Sequence, residues 1–291
     1  MASKKRKKPD YSDAAFPALA RFWEAMRNGY HTNREIIALL EIFAPNSGGT
    51  VRGRSDCTFV SARDTVPQLC RLMQSLAYVP IEPRPIQSAC SSDAGRRAAD
   101  ELAKLFTARG SDKATEHEYH LLYGEILAPI RDQPVALLEI GLGTNNTDVV
   151  SNMGRAGKPG ASLRAFRDFL PRAQIFGADL DRRILFAEER IATYYVDQTD
   201  ERAFRELDAN LEGRAFDLII DDGLHAPNAN LTTLAFALER LKPGGYAVIE
   251  DIYEPSLPVW ALASMVLASR FDVSLYREKR AYVFVATHRR G

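Results

Sequence analysis

The sequence predicts an α/β protein: a doubly wound, mostly parallel sheet of seven strands carrying a helical N-terminal extension. Three observations lead there. Apolar runs of about five residues alternate with helix-length segments up to Ile220, which is the pattern of strands joined by crossovers in a parallel sheet. Each run ends in an acidic or glycine-rich turn, so the chemically distinctive residues collect at strand C-termini, the edge where open parallel sheets bind ligands. Last, Phe271 to Tyr276 and Ala281 to Thr287 alternate around a charged turn, as in a closing antiparallel hairpin.

Taken in order, the chain opens with Lys4-Lys5-Arg6-Lys7-Lys8-Pro9, a like-charge run that cannot pack. Residues 1–10 are read as a disordered basic tail, whose alternative role is a weak contact with a polyanion through residues 4–8. Residues 11–91 form the helical extension. Leu19, Phe22, Trp23 and Met26 space as one apolar face, and Ile36, Ile37, Leu40 and Phe43 as another. Residues 45–65 read as loop from their Gly, Ser, Arg and Asp content, 66–79 as helix, and Pro80, Pro83 and Pro85 as an extended linker. Residues 92–291 form the main domain. Ser92 to Arg109 is a helix with Ser92 and Asp93 at its start and Gly110 at its stop. The polar and aromatic segment that follows, with His117, Tyr119, His120 and Tyr123, has a composition that packing alone does not explain, and is expected in or over the cleft.

Val135 to Ile140 is the first strand, followed by a polar loop to Gly160, a helix from Ser162 to Leu170, and strands at Gln174 to Ala178 and Ile191 to Val196. The stretch from Phe216 to Ile252 gives two more strands around a helix, ending in Asp221-Asp222 and Glu250-Asp251. Val259 to Ser269 reads as helix. Asp222, Glu250 and Asp251 converge in this arrangement, and carboxylates that converge repel unless a cation lies between them. Mg²⁺ or another hard divalent cation, which favours oxygen ligands, is the economical choice.

With 38 basic and 38 acidic residues among 291, the chain as a whole carries no electrostatic footprint for nucleic acid. Cys57, Cys70 and Cys90 lack metal-binding or redox spacing and are expected to be reduced thiols. No apolar stretch approaches membrane-spanning length, and the expected location is the cytoplasm. A homo-oligomer is compatible with the sequence.

Glu139-x-Gly141-x-Gly143 permits close backbone approach to a ligand. A nicotinamide dinucleotide would want a third glycine where Asn146 stands, and an acidic residue about 20 positions on, well before Asp179. An adenosine without a pyrophosphate needs less. Asp179 is placed for its ribose hydroxyls, and Asp197-Gln198 for its adenine.

The ordered set GSDKATEHEYHLLY, LLEIGLG, GASLRAF, GADLD, VDQTD, FDLIIDDGLH and LKPGGYAVIED resembles the class I S-adenosylmethionine-dependent O-methyltransferases of macrolide sugars, and more distantly the cephalosporin hydroxylase-like proteins. The likeness covers about residues 107 to 255. It implies the Rossmann-like methyltransferase fold and S-adenosyl-L-methionine held by Glu139, Gly141, Gly143, Asp179, Asp197 and Gln198. Lys113, Tyr119, Ser162 and Asp221 are implied nearby. It further implies Mg²⁺ on Asp222, Glu250 and Asp251, with His225 as base. The loop from Thr144 to Pro159 departs from the family's pattern, and residues 1 to about 95 match none of it.

On this reading the protein is a metal-assisted O-methyltransferase acting on a sugar hydroxyl of a glycoside, natural product or polysaccharide. An ion on Asp222 would acidify the hydroxyl, and His225, an imidazole three positions on, would take its proton. The alternatives are a small polyol or catechol-like acceptor, or a nucleic-acid-directed methyltransferase or binding protein recruited by the basic tail.

Overall fold

The computed structural model describes residues 51–289, with side chains from Cys57 onward. The two N-terminal helices and the basic tail expected from the sequence lie outside the described residues. Backbone contacts divide the chain into two units, Met1–Ala77 and Tyr78–Gly291.

In the first unit the described residues form one helix, α1 (Val51–Ser75). The loop expected over residues 45–65 is therefore corrected from residue 51 onward. The strong breakers, Pro45 to Gly49, precede the helix, whereas Arg52, Arg54, Ala62 and Arg63 are good helix formers that offset the lone Gly53. Pro67 sits inside α1 and removes one hydrogen bond from its ladder.

The second unit is built on a sheet of nine strands. Seven are principal: β2 (Ala136–Ile140), β3 (Gln174–Asp179), β5 (Ile191–Tyr195), β6 (Phe216–Asp221), β7 (Leu241–Ile252), β8 (Phe271–Arg277) and β9 (Tyr282–His288). Two are two-residue additions, β1 (Arg84–Pro85) beside β8 and β4 (Ala187–Glu188) beside β5. The order is β1-β8-β9-β7-β6-β2-β3-β5-β4, and β9 is antiparallel to both β7 and β8. The expected closing hairpin is thus present. One expected crossover is not: β3 and β5 are joined by a 3-10 turn (Arg182–Ile184) and β4 rather than an α-helix. The proline-rich linker supplies β1, because proline suits a sheet edge where its missing N–H costs no ladder bond.

Each central strand is buried on both faces, and alternate residues feed two cores. Leu137, Ile175, Leu218 and Val248 point to one side, where α2 (Asp93–Arg109), α3 (Tyr119–Leu127) and α4 (Ala161–Phe169) pack with Leu102, Phe106, Tyr123 and Phe166. Leu138, Phe176, Ile219 and Ile249 point to the other, against Phe204 of α5 (Glu201–Asn210), Leu234 of α6 (Pro227–Arg240) and Trp260 of α7 (Leu257–Leu267). Fully burying such side chains stabilises the fold by about 1.5–3 kcal/mol each.

Two details of α2 and α3 position the site. Ser92 caps α2 through Gly95 N–H, and Gly110 ends it in the left-handed region at φ 83°, turning the chain back toward the sheet. Gly124 of α3 lies so close to Ala99 and the Gly95 carbonyl that a Cβ would collide with α2. That approach seats the two tyrosines of α3 over the strand ends.

Candidate active site

The period-2 alternation that builds the two cores also sorts the acidic residues. Glu139 aligns with Ile220 across β2 and β6, and Ile140 aligns with Asp221, which aligns in turn with Ile249. Glu139, Asp222 and Glu250 consequently face the α2/α3 side, whereas Asp221 faces α6.

On the α2/α3 side the three carboxylates meet one ammonium. Lys113, 1% exposed, places Nζ 2.6 Å from Asp222 Oδ2 and 3.2 Å from Glu139 Oε1, and it donates to Glu250 Oε2 as well. Glu250's other oxygen accepts from the Tyr123 hydroxyl. Burial disfavours the charged Lys113, but Asp222, Glu250 and Glu139 outweigh it and hold its pKa well above the ordinary lysine value. Burial pushes the carboxyl of Glu250 well up, and that of Glu139 up, against the same ammonium. Ser162, at the start of α4, donates to Glu139.

Outside this cluster lies a second, more open set. β7 is irregular between Ile249 and Ile252, where Asp251 takes φ 52°. His225, just before α6, has φ 56°. Left-handed backbone at non-glycine residues costs on the order of 1–3 kcal/mol and tends to persist at functional sites. Here the bulge turns Asp251 out of strand alternation, toward the loop of His225. Ligand atoms of Asp222, His225 and Asp251 all lie within 4.8 Å of one another, with His225 Nε2 3.8 Å from Asp251 Oδ2. Asp251 Oδ1 accepts from the Tyr119 hydroxyl at 2.6 Å, and Tyr119 stacks on His117.

The expected ion ligands are therefore divided. Asp222 and Asp251 stand together with His225, but Glu250 is turned to Lys113 and Tyr123. Its alternation with Ile249 drives it inward, whereas the bulge releases Asp251. Lys113 and Tyr119 likewise spend their polar atoms on carboxylates instead of an open cofactor face. Of the aromatic segment, Tyr123 and His117 join the site. His120 is in neither candidate ligand group, and burial lowers its pKa. Glu278, between β8 and β9, approaches His117 Nδ1 at 3.5 Å. The sequence reading missed it, because it sat in what looked like an ordinary charged hairpin turn.

The cofactor candidates sit at the ends of β2, β3 and β5. Gly141 (φ 94°) needs its missing side chain for a protein contact: a Cβ there would run into the backbone of Asp222 and Gly223. Gly143 (φ 74°) faces Met153 of the following loop. Asp179 accepts from the N–H groups of Leu142 and Asp181, both at 2.7 Å, and so ties the glycine turn to β3. Asp181 accepts from Arg183, Thr144 and Asn146. The hydrogen bond from Arg183, followed by those from Thr144 and Asn146, holds its carboxyl well below the usual range. Asp197 Oδ1 closes a turn on Thr199.

Two expected cofactor ligands face inward. Gln198 donates to Asp221 and Thr233 and accepts from Leu224 N–H, which leaves its amide committed within the protein. Asp221 is fully buried and also accepts from Asn230. These residues brace the Asp222–His225 loop from below. A residue at a strand end can face either side of the sheet, and the side was not legible from position alone.

No family model matches the chain. Over 159 residues it is 33% identical to an 8-demethyl-8-alpha-L-rhamnosyl tetracenomycin-C 2'-O-methyltransferase of Streptomyces olivaceus, covering 55% of this chain and 39% of that protein. It is 36% identical over 128 residues to the mycinamicin VI 2''-O-methyltransferase of Micromonospora griseorubida, covering 44% and 30%. A solved structure of the MycE methyltransferase in complex with Mg, SAH and mycinamycin VI superposes with a TM-score of 0.53 at 27% identity, covering 65% of this chain and 55% of that one. The resemblance to sugar O-methyltransferases and the Rossmann-like fold both hold. The chain spans about two fifths of the length of the first curated relatives it matches.

Proposed function

We propose that this chain is an S-adenosylmethionine-dependent O-methyltransferase acting on a sugar hydroxyl of a glycoside, with a divalent cation at Asp222 and Asp251. The observation that carries the reading is the meeting of Asp222, His225 and Asp251 ligand atoms within 4.8 Å at the strand C-termini. Similarity to rhamnosyl and mycinamicin methyltransferases, and to a relative solved with Mg and SAH, supports the donor, ion and acceptor class. A cytoplasmic location is part of this proposal.

The residues fit such an ion. Asp222 and Asp251 are hard oxygen donors, both half-buried, and neither is closed off by an arginine among the described residues. When bound, the ion would supply Lewis acidity and hold the acceptor hydroxyl. Lys113 and Tyr123 keep Glu250 in place behind Asp222, so that the strand end cannot collapse through charge repulsion. His225 takes the hydroxyl proton. The oxygen pair then forms the bond to the methyl carbon while the carbon–sulfur pair stays on sulfur, giving a neutral thioether. Asp179 and the turn through Gly141 and Gly143 seat the donor.

The test is direct. SAH should raise the melting temperature of the purified chain. Methyl transfer from S-adenosylmethionine to a rhamnosyl or related glycoside should require Mg²⁺ and stop with EDTA. Tight SAH binding without turnover on any glycoside, with or without Mg²⁺, would remove the acceptor class from the proposal.

A further inference from the structure

Asp251 belongs to two groups of facing ligand atoms. Beside the set with Asp222 and His225, His117, Asp251 and Glu278 also bring one ligand atom each within 4.8 Å of one another. His117 Nδ1 lies 3.6 Å from Asp251 Oδ1 and 3.5 Å from Glu278 Oε1. We infer that His117, Asp251 and Glu278 form a second divalent-cation site, joined to the first through the Asp251 carboxylate. The inference rests on the proposed ion at Asp222 and Asp251 and extends it.

Independent observations point to a ligand here. The Glu278 side chain is 0% exposed, and its Oε2 has no hydrogen-bond partner, while Oε1 accepts from Arg280 N–H. His117 Nδ1 is also buried without a hydrogen-bond partner. A buried carboxylate oxygen left unpaired is costly, so such groups are normally paired or coordinate a metal. Among the described residues, the ion-pair partners of Asp251 and Glu278 are histidines, in contrast to the Lys113-compensated cluster next to them. Stacking on Tyr119 fixes the His117 ring, and Tyr119 in turn donates to Asp251. A cavity of about 380 Å³, lined by residues including Gln87, Glu118, Glu278 and Lys279, adjoins the Glu278 end of the cluster.

The donor chemistry sets the preference. One imidazole with two carboxylates suits Mn²⁺, Co²⁺ or Zn²⁺ better than Mg²⁺, which favours all-oxygen sets. The two sites therefore differ in ion as well as position: Mg²⁺ competes well at Asp222 and poorly at Glu278.

The test uses the full chain, stripped of metal and titrated with Mn²⁺ by calorimetry and electron paramagnetic resonance. Two equivalents are expected to bind, with a spectrum broadened by coupling between neighbouring ions. E278Q and H117N should each bind one equivalent and lose the coupling, as should D222N, while D251N should bind neither tightly. Excess Mg²⁺ should displace one equivalent from the wild-type chain. A wild-type stoichiometry of one that E278Q leaves unchanged and D222N abolishes would overturn the second site and leave the first intact. No binding by the wild-type chain would overturn both. The coupled spectrum needs no variant, so a misfolded substitution does not spare the inference. E278D, which keeps the charge, should retain weakened binding at the second site, and normal binding in E278A would refute it.

Discussion

Asp221 and Asp222 are adjacent in sequence yet solve the problem of a carboxylate at a strand end in opposite ways. Asp221, facing α6, is buried and met by neutral donors from Gln198 and Asn230. Asp222, facing α2 and α3, is partly exposed and met by the Lys113 ammonium on one side and by His225 and Asp251 on the other. The first arrangement is closed, since its polar atoms are used within the protein. The second is open, with more carboxylates than ammonium groups and a histidine at its rim. Closed networks rigidify a fold, whereas an excess of one charge at a half-exposed edge invites a ligand. Substitutions on the two sides should therefore fail differently, one in stability and the other in catalysis.

The sharpest separation is expected at His225. On the proposed role of His225 as the base, H225Q should lower turnover by about 10²- to 10⁴-fold, with little change in melting temperature. A comparable loss of folding stability would break the distinction between the open and closed sides. Next comes Lys113. Removing one partner of a buried charge cluster typically costs about 3–5 kcal/mol, and K113M should lose that much in urea unfolding near neutral pH. The carboxyls of Glu139 and Glu250 are raised already, and without the ammonium they should rise further above their unfolded values. A raised carboxyl favours the fold only while it is protonated, so the K113M deficit should shrink as pH falls toward the carboxylate range. A deficit that grows on acidification would contradict this account of the cluster.

The same comparison explains what could be read from the sequence. Alternation of apolar runs with helices gave the parallel part of the sheet and its crossovers apart from the one between β3 and β5, because burial on both faces imposes that pattern on any parallel sheet. The charged turn between two alternating runs gave the closing hairpin. The acidic strand ends were visible for the same reason: they interrupt otherwise apolar runs. Which face each one takes depends on register and on the bulge at Asp251, neither of which local composition encodes. Gln198 therefore looked open and is closed, and Glu250 looked like a ligand and is held by Lys113. Glu278 was hidden because a charged hairpin turn is ordinary until the fold sets it beside His117, far away in the chain. The first part of α1, residues 51–65, was missed for a simpler reason, since breakers ahead of residue 51 were averaged into the segment after them, whereas its later part was read as helix.

On the closed side, Q198A should leave the Leu224 N–H without its acceptor and Asp221 short of a donor. An unsatisfied buried polar group costs about 1–3 kcal/mol, so the variant should lose that much stability. Because Leu224 lies one residue before His225, turnover should fall too, but by less than in H225Q. Q198E, which retains an acceptor for Leu224 but sets a carboxylate against buried Asp221, should not rescue stability at neutral pH, and full rescue there would contradict the need for a neutral donor at Asp221.

The smallest effect is expected at Asp181, where the turn beside β3 is tied to Arg183, Thr144 and Asn146. Its carboxyl titrates below its unfolded value, chiefly through Arg183, so the ionised form favours the fold. That contribution is fully present above the ordinary aspartate range near 3.8 and is lost as pH falls through and below it. Arg183 is half exposed, and solvent screening reduces what the pair contributes. D181N should accordingly lower the melting temperature by a small amount at pH 7, and the gap to the wild-type chain should close in acid. Since Thr144 and Asn146 begin the loop that carries Met153 over Gly143, SAH affinity should weaken alongside. A D181N chain that loses stability equally at every pH would mean that Asp181 acts through shape, and that its charge has no part in holding the loop.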